Sequence, residues 1–240
     1  MSLLEVEDLD VYHGQLQAVR GFNLSVTQGE TIAVIGANGA GKSTLLRAIA
    51  GAHIPARGRV LLDGNEVTRL PAHRRVAAGI ALVPEGRRLF KSLTVEENLT
   101  TGTYRARPGD WSVGAVMDLF PWMRERAKQN AASLSGGQQQ AVAIGRALLT
   151  NPRVLLIDEL SLGLAPSVVR QMYKILPGIA ARGTAVLIVE QDVSQALAAA
   201  DEVHCLLEGR TVLSGRPADL TPAQVEQAYF GLEPAVREGN

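Results

Sequence analysis

Apolar and polar positions along the chain alternate between two periods, and each period predicts an element. Residues 3–9 and 22–26 read as strands, the second with Phe22, Leu24 and Val26 on alternate positions. Between them lies Val11-Tyr12-His13-Gly14, an aromatic beside a turn. Ile32 to Ile35 form a continuous apolar run, the mark of a strand buried on both faces, and Leu45, Leu46, Ala48 and Ile49 follow at helical spacing. Arg59–Leu62 running into Asp63-Gly64 is a hairpin signal. Residues 71–78 form a helical pattern opened by Pro71, and Ile80–Val83 a strand stopped by Pro84.

From about 87 to 150 the pattern is helical, interrupted at Pro108-Gly109-Asp110, and it holds both tryptophans, Trp111 and Trp122. Strands resume at Arg153–Ile157 and recur at 185–189, 203–207 and 211–214, with helical patterns at 166–181 and 193–199 between them. Strands separated by helices predict an α/β fold with a mainly parallel sheet covered on both faces, and the 87–150 stretch reads as a helical insertion. No internal repeat interrupts this order, and Leu232 to Asn240 read as a frayed tail.

Composition narrows the classes. At 240 residues the chain can bury a substantial core. Lys+Arg and Asp+Glu balance at 24 each, which gives no general attraction to nucleic acid or anionic lipid. The single cysteine, Cys205, lies inside the apolar run Val203–Leu207 and reads as a buried structural thiol. The opening MSLLEVEDL lacks the basic and apolar regions of a signal peptide, and no apolar run approaches the roughly 18 residues of a membrane span. The expected setting is a reducing compartment, with any membrane role exercised by docking onto another chain.

Three stretches carry chemistry. Gly36-Ala37-Asn38-Gly39-Ala40-Gly41-Lys42-Ser43, followed by Thr44, has the GxxxxGK[ST] spacing between a strand and a helix. Its glycines let backbone N–H groups converge on phosphate oxygens, the helix points its positive end at the same anion, Lys42 reaches the outer phosphates, and Ser43 is a Mg²⁺ ligand. Arg153-Val154-Leu155-Leu156-Ile157 ends on two adjacent carboxylates: Asp158, placed to organise Mg²⁺, and Glu159, placed to orient or deprotonate an attacking water. Leu134-Ser135-Gly136-Gly137-Gln138 opens a helix with a capping-box pattern. Its two glycines each cost about 1 kcal/mol of helix stability, so a close approach to the backbone is expected there. A second anion-binding helix start without a lysine suits a phosphate bound jointly with another chain.

GANGAGKST, LSGGQ and LLIDE, in that order, resemble the ATPase subunits of ABC transporters over residues 1 to about 231. VPEGRRLF, LTVEENL, AIGRALLTNPR, SLGLAP and VEQD resemble one branch, the LivF-type ATPases of branched-chain amino acid importers. The resemblance implies a P-loop NTPase fold. A core with a small antiparallel β-subdomain spans about 1–86 and 151–231, a helical subdomain about 87–150, and a tail 232–240. It also implies ATP and Mg²⁺. Tyr12 would stack on adenine, Gly36 to Thr44 would hold the phosphates, Asp158, Ser43 and Glu85 the metal, and Glu159 would be the base, with Gln191 and Glu85 as the further catalytic residues. Ser135, Gly136, Gly137 and Gln138 would close over ATP held by a second such ATPase, or a second copy, in a head-to-tail dimer. Two membrane permeases and an extracytoplasmic solute-binding protein would complete an importer, with this chain on the cytoplasmic face of the membrane.

Four positions depart from the broader family. Glu85 stands where Gln senses the γ-phosphate, bringing a negative charge near Mg²⁺ and phosphate. Gln191 stands at the switch histidine, able to donate a hydrogen bond but not to carry positive charge. Gly163 replaces a common Asp, and Leu160 replaces a usual proline, restoring a backbone N–H beside the base. Glu85 and Gln191 together predict an ATP site slower than its partner's in a mixed dimer. Importers of amides, urea or aromatic acids share this ATPase type. A non-transport ABC ATPase is disfavoured by the lack of room for a coiled-coil insertion or a second cassette, and a P-loop kinase or GTPase by LSGGQ itself.

Overall fold

The structure, a computed structural model, describes residues 2–232. It opens on a hairpin, β1 (Leu4–His13) and β2 (Leu16–Val26). This hairpin extends further than the apolar alternation predicts because polar side chains bridge its far half. Asp10 Oδ1 accepts from Gly21 N at 2.8 Å and from Gln17 Nε2 at 3.0 Å. The wholly buried β3 (Thr31–Ile35) leads through the glycine-rich loop into α1 (Lys42–Ile49). β4 (Arg57–Leu62) and β5 (Asn65–Glu66) form the Asp63-Gly64 hairpin, and α2 (Ala72–Ala78), with Pro71 as its N-cap rather than inside its first turn, precedes β6 (Ile80–Val83). Helices α3 (Val95–Thr101), α4 (Val113–Leu119), α5 (Trp122–Glu125) and α6 (Gly136–Leu148) follow.

The chain then alternates through β7 (Val154–Asp158), α7 (Pro166–Tyr173), α8 (Leu176–Ala180), β8 (Ala185–Glu190), α9 (Val193–Ala199), β9 (Glu202–Leu207), β10 (Arg210–Gly215) and α10 (Pro222–Phe230). The helix predicted over 166–181 is two helices. Pro177 has no N–H to bond the carbonyl of Tyr173, so α7 stops and α8 starts afresh with the proline in its first turn. Of the tail expected over 232–240, only Leu232 lies within the described residues.

The strands form a six-stranded sheet in the order β10-β9-β3-β8-β7-β6, parallel except for β10, and a four-stranded antiparallel sheet in the order β2-β1-β4-β5. The parallel strands are apolar on both faces, and the period of two divides them between two cores. Ala33, Ile35, Leu155, Ile157, Val186 and Ile188 face the larger helical layer. Ile32, Val34, Leu156, Leu187 and Val189 face α1 and the four-stranded sheet, whose Leu4, Leu9, Val11 and Phe22 complete the second core. The helix carrying the phosphate loop is thereby clamped between two sheets.

Its far end is also fixed. Arg75, fully buried, donates from Nη1 to the carbonyls of Ala48 and Ile49 at the C-terminus of α1, and from Nε and Nη2 to Leu70 and Thr68. A cation there also complements the helix dipole. Cys205 is fully buried, and burial raises its thiol to about 11, which makes it the inert structural residue its apolar context predicts.

Candidate functional site

The C-terminal ends of β3, β7 and β8 converge, and the adjacent registers fix which side chains meet there. α1 starts at Gly41 with no side-chain cap, so its first-turn N–H groups are available to an anion. Gly41 is required twice over: its φ is +104°, and a Cβ there would lie 2.1 Å from the Ala18 carbonyl of β2. Lys42, only 4% exposed, spans the loop and donates to the carbonyls of Gly36 at 2.7 Å and Ala37 at 3.0 Å. Burial pulls its pKa down, opposed by the charges of Glu159, Asp158 and Glu190.

Ser43 Oγ donates to Asp158 Oδ1 at 2.8 Å, so these two oxygens converge across 115 residues of sequence. Burial raises the Asp158 pKa, with Ser43 and Arg47 opposing and Glu159 and Glu85 adding to the rise. Surplus negative charge in a half-dry setting fits a divalent cation. Mg²⁺ takes one or two protein oxygens and completes its shell with phosphate and water, so Ser43 Oγ and Asp158 Oδ1 suffice as its protein ligands. Glu85 is exposed in the loop after β6 and acts on Asp158 only as a neighbouring charge.

Glu159 has φ +55°, a left-handed conformation that costs a non-glycine residue about 1–3 kcal/mol. It is held there from two sides. Its N–H donates to the Val189 carbonyl at 3.1 Å, and its Oε1 accepts from Gln191 Nε2 at 2.6 Å. Leu160, beside it, is fully buried in the larger core, which accounts for an apolar residue at this position by packing. Gly163, at φ +67°, has open space around it.

The loop opens into a cleft of about 290 Å³ lined by His13, Leu16, Ala18, Asn38, Gly39, Gly41, Lys42, Ser43, Thr44 and Glu159. Tyr12 is not among these residues. It is 38% exposed, its carbonyl accepts from His53 Nε2 at 2.8 Å, and its cross-strand partner Gln17 lies outside the cleft. Successive strand residues face opposite ways, so if Tyr12 turns out, His13 turns in. His13 pairs across the hairpin with Leu16, itself a cleft residue, and its Nε2 lies 2.9 Å from Thr44 Oγ1. The cleft wall therefore carries His13 and not Tyr12, the residue expected to stack on adenine. Leu9, Val11 and His13 share a parity on β1 and the first two are fully buried, but register shifts against β2 between Leu9 and Tyr12 interrupt the regular pairing that would carry the pattern on to His13.

Ser135, Gly136, Gly137 and Gln138 contribute nothing to this cleft. They form the capping box their spacing predicts. Ser135 N donates to Gln138 Oε1 at 3.0 Å, and Gln138 N donates to Ser135 Oγ at 3.4 Å. Ser135 is exposed, so the helix start faces solvent. Part of the glycine requirement is internal, because a Cβ on Gly137 would lie 2.2 Å from Val168 Cγ1 of α7.

The comparisons agree with this geometry. The ABC transporter family model matches residues 19–161. The chain is 43% identical to the high-affinity branched-chain amino acid transport ATP-binding protein BraG of Pseudomonas aeruginosa, over 95% of this chain and 100% of that one. It is 34% identical to the probable branched-chain amino acid transport ATP-binding protein LivF of Archaeoglobus fulgidus, over 91% and 94%. Among solved structures, the ADP conformation of MJ1267, an ATP-binding cassette of an ABC transporter, superposes with a TM-score of 0.82 at 27% identity, covering 96% of this chain and 99% of that one. A phosphate loop facing paired carboxylates, a separate signature helix and relatives matched end to end carry one conclusion: the chain belongs to the ABC transporter family, as one of its ATP-binding, ATP-hydrolysing subunits.

Proposed function

We propose that the chain binds MgATP and hydrolyses it to drive import of branched-chain amino acids. It would act as one of two ATPases in a head-to-tail dimer, docked on two membrane permeases at the cytoplasmic face and served by an extracytoplasmic solute-binding protein. The observation that carries the catalytic half is the meeting of Lys42, Ser43, Asp158, Glu159 and Gln191 around one cleft. The solute is inferred from the relatives' names.

In this reading Lys42 and the N–H groups from Gly36 to Thr44 bind the phosphates, and His13 with Leu16 and Ala18 forms the platform for the base. Ser43 and Asp158 would hold Mg²⁺, with Glu85 near enough to add its charge, and the bound metal would supply neutralisation of phosphate charge. Glu159 accepts the proton of the attacking water while Gln191 orients its carboxylate. The cleft lies at the lower edge of the volume of an enclosed ligand site, about 300 Å³, so it suits half of a composite site. Ser135 to Gln138 of a partner would supply the other half.

The experiment is uptake of labelled leucine into vesicles holding the assembled complex and its binding protein. ATP-dependent uptake that Lys42→Ala abolishes is the expected result. Uptake of an amide, urea or an aromatic acid in place of leucine would reassign the solute while leaving the ATPase role intact. Single-turnover hydrolysis with one phosphate-loop lysine disabled at a time tests whether this chain's site is the slower one, and equal rates would overturn that.

A further inference from the structure

β8 ends on Glu190, whose side chain is 1% exposed and makes no ion pair among the described residues. Removing a carboxylate from water this completely is costly unless its lone pairs are met. Three donors meet them. Ser161 N–H reaches Oε1 at 2.9 Å, while Ser161 Oγ at 2.7 Å and Gln191 N–H at 3.2 Å reach Oε2. The buried phenol of Tyr173 lies beside the same carboxylate and acts as a nearby dipole, without the alignment of a hydrogen bond.

Both residues that Glu190 grips flank the base. Ser161 is two residues after Glu159 in the chain, and Gln191 is the residue whose side chain bonds the Glu159 carboxylate at 2.6 Å. With the Glu159 N–H on the Val189 carbonyl, residues 159 and 161 are tied to three successive positions, 189, 190 and 191. Leu160, between them, has no ring to fix its backbone. The turn therefore depends on Leu160's burial on one side and on this ladder on the other.

We propose that Glu190 is a positioning residue for hydrolysis: through Ser161 and the backbone of Gln191 it holds the Glu159–Ser161 turn in its left-handed form, with the base carboxylate aimed into the phosphate cleft. The proposal rests on Glu159 being the base. The geometry makes a specific demand on chemistry. A glutamine at 190 keeps the volume and can still accept from Ser161 N–H. Its amide NH₂ would then face Gln191 N–H, a donor against a donor, and that rung would be lost.

The test compares Glu190→Gln, Ser161→Ala, Ser161→Thr and the Glu190→Gln/Ser161→Ala double variant in the assembled transporter, with Glu159→Gln alongside. Glu190→Gln and Ser161→Ala should each lower kcat by about 10- to 100-fold, the range a small misplacement of a reacting group produces, with KM for ATP unchanged. Ser161→Thr keeps the hydroxyl and should keep most of the turnover. The double variant should be no slower than the slower single variant, because both changes act on bonds to the same oxygen, Glu190 Oε2, and release the same turn. Should Glu190→Gln fail to fold, Ser161→Ala, at a half-buried site, carries the test. Turnover near wild type in Ser161→Ala, losses that multiply in the double variant, or a rise in KM with kcat intact would each overturn the proposal while an inactive Glu159→Gln left the base assignment standing. Normal turnover in Glu159→Gln would remove the base and this proposal together.

Discussion

Gln191 Nε2 donates to Glu159 Oε1 at 2.6 Å, so the residue proposed as the switch bonds the proposed base directly. A neutral amide can hold that carboxylate in place without bringing a charge of its own beside it. Gln191 therefore acts on Glu159 by aiming its carboxylate.

Glu159→Gln should therefore leave ATP binding near wild type, because the phosphate contacts proposed above come from Lys42 and the loop N–H groups, which the substitution does not touch. Hydrolysis should fall by about 10²- to 10⁴-fold, the usual contribution of a positioned general base. Equilibrium binding of labelled ATP and steady-state phosphate release on the same preparation measure both. Turnover within a few-fold of wild type would place the base elsewhere.

The exchange of Tyr12 for His13 makes a second prediction. His13→Ala strips a ring from the cleft wall and should weaken ATP binding by about 5- to 30-fold, the effect of about 1–2 kcal/mol of lost stacking. Tyr12→Ala should change it less than twofold. Titration of a fluorescent ATP analogue into each variant distinguishes them, and the reverse order of effects would restore Tyr12 as the stacking residue.

Both positions show where sequence patterns stop short. The strand–loop–helix at 31–51, the Asp158-Glu159 strand end and the Ser135 capping box were all legible, because each is built from neighbours whose spacing dictates their geometry. The pairing of Ser43 with Asp158 followed from function alone. The face of β1 that meets the cleft depended on a parity that the turn at Gly14 disguised. α10 went unread although Thr221, Pro222 and Gln224 make a capping box with proline in the first turn. Its weakly apolar body, with Val225 its one buried residue, gave no helical stripe to confirm them. Arg75 and Glu190 were invisible for a different reason. A charged side chain reads as surface until the carbonyls or N–H groups that satisfy it come together, and those lie on other elements.

Gly137 has a role inside the chain as well as at its surface. A methyl group there would lie 2.2 Å from Val168 Cγ1, so Gly137→Ala should destabilise the fold by about 1–3 kcal/mol through overpacking between α6 and α7. Val168→Ala in the same chain removes the clashing methyl groups and should restore most of that loss, read as recovery of the urea midpoint. If Gly137→Ala/Val168→Ala refolds to near wild-type stability and still fails to hydrolyse ATP with its partner, Gly137 is also needed for the signature surface. Stability unchanged in Gly137→Ala alone would mean that α7 yields, and that the glycine's importance lies wholly in the partner's site.

The buried Glu190 should also leave a signature in the pH dependence of stability. Burial raises its pKa above the ordinary value, with the bonds from Ser161 and Gln191 and the nearby Tyr173 phenol opposing but not cancelling the rise. The native state then holds this proton more tightly than the unfolded chain does. Stability is greatest, as far as this group is concerned, below the ordinary carboxylate range of about 4 to 4.5, and it falls as pH climbs from there toward the raised native value. Asp158 shifts in the same direction, so wild type alone cannot separate the two. The difference between wild type and Glu190→Gln can, since Asp158 is common to both. Urea unfolding from about pH 4 to about pH 8 should show that difference moving steadily toward the variant and then levelling once Glu190 is ionised in both states. Parallel curves for the two proteins would mean that the Ser161 and Gln191 donors fully compensate the carboxylate's desolvation, and that burial leaves no net penalty on its charge.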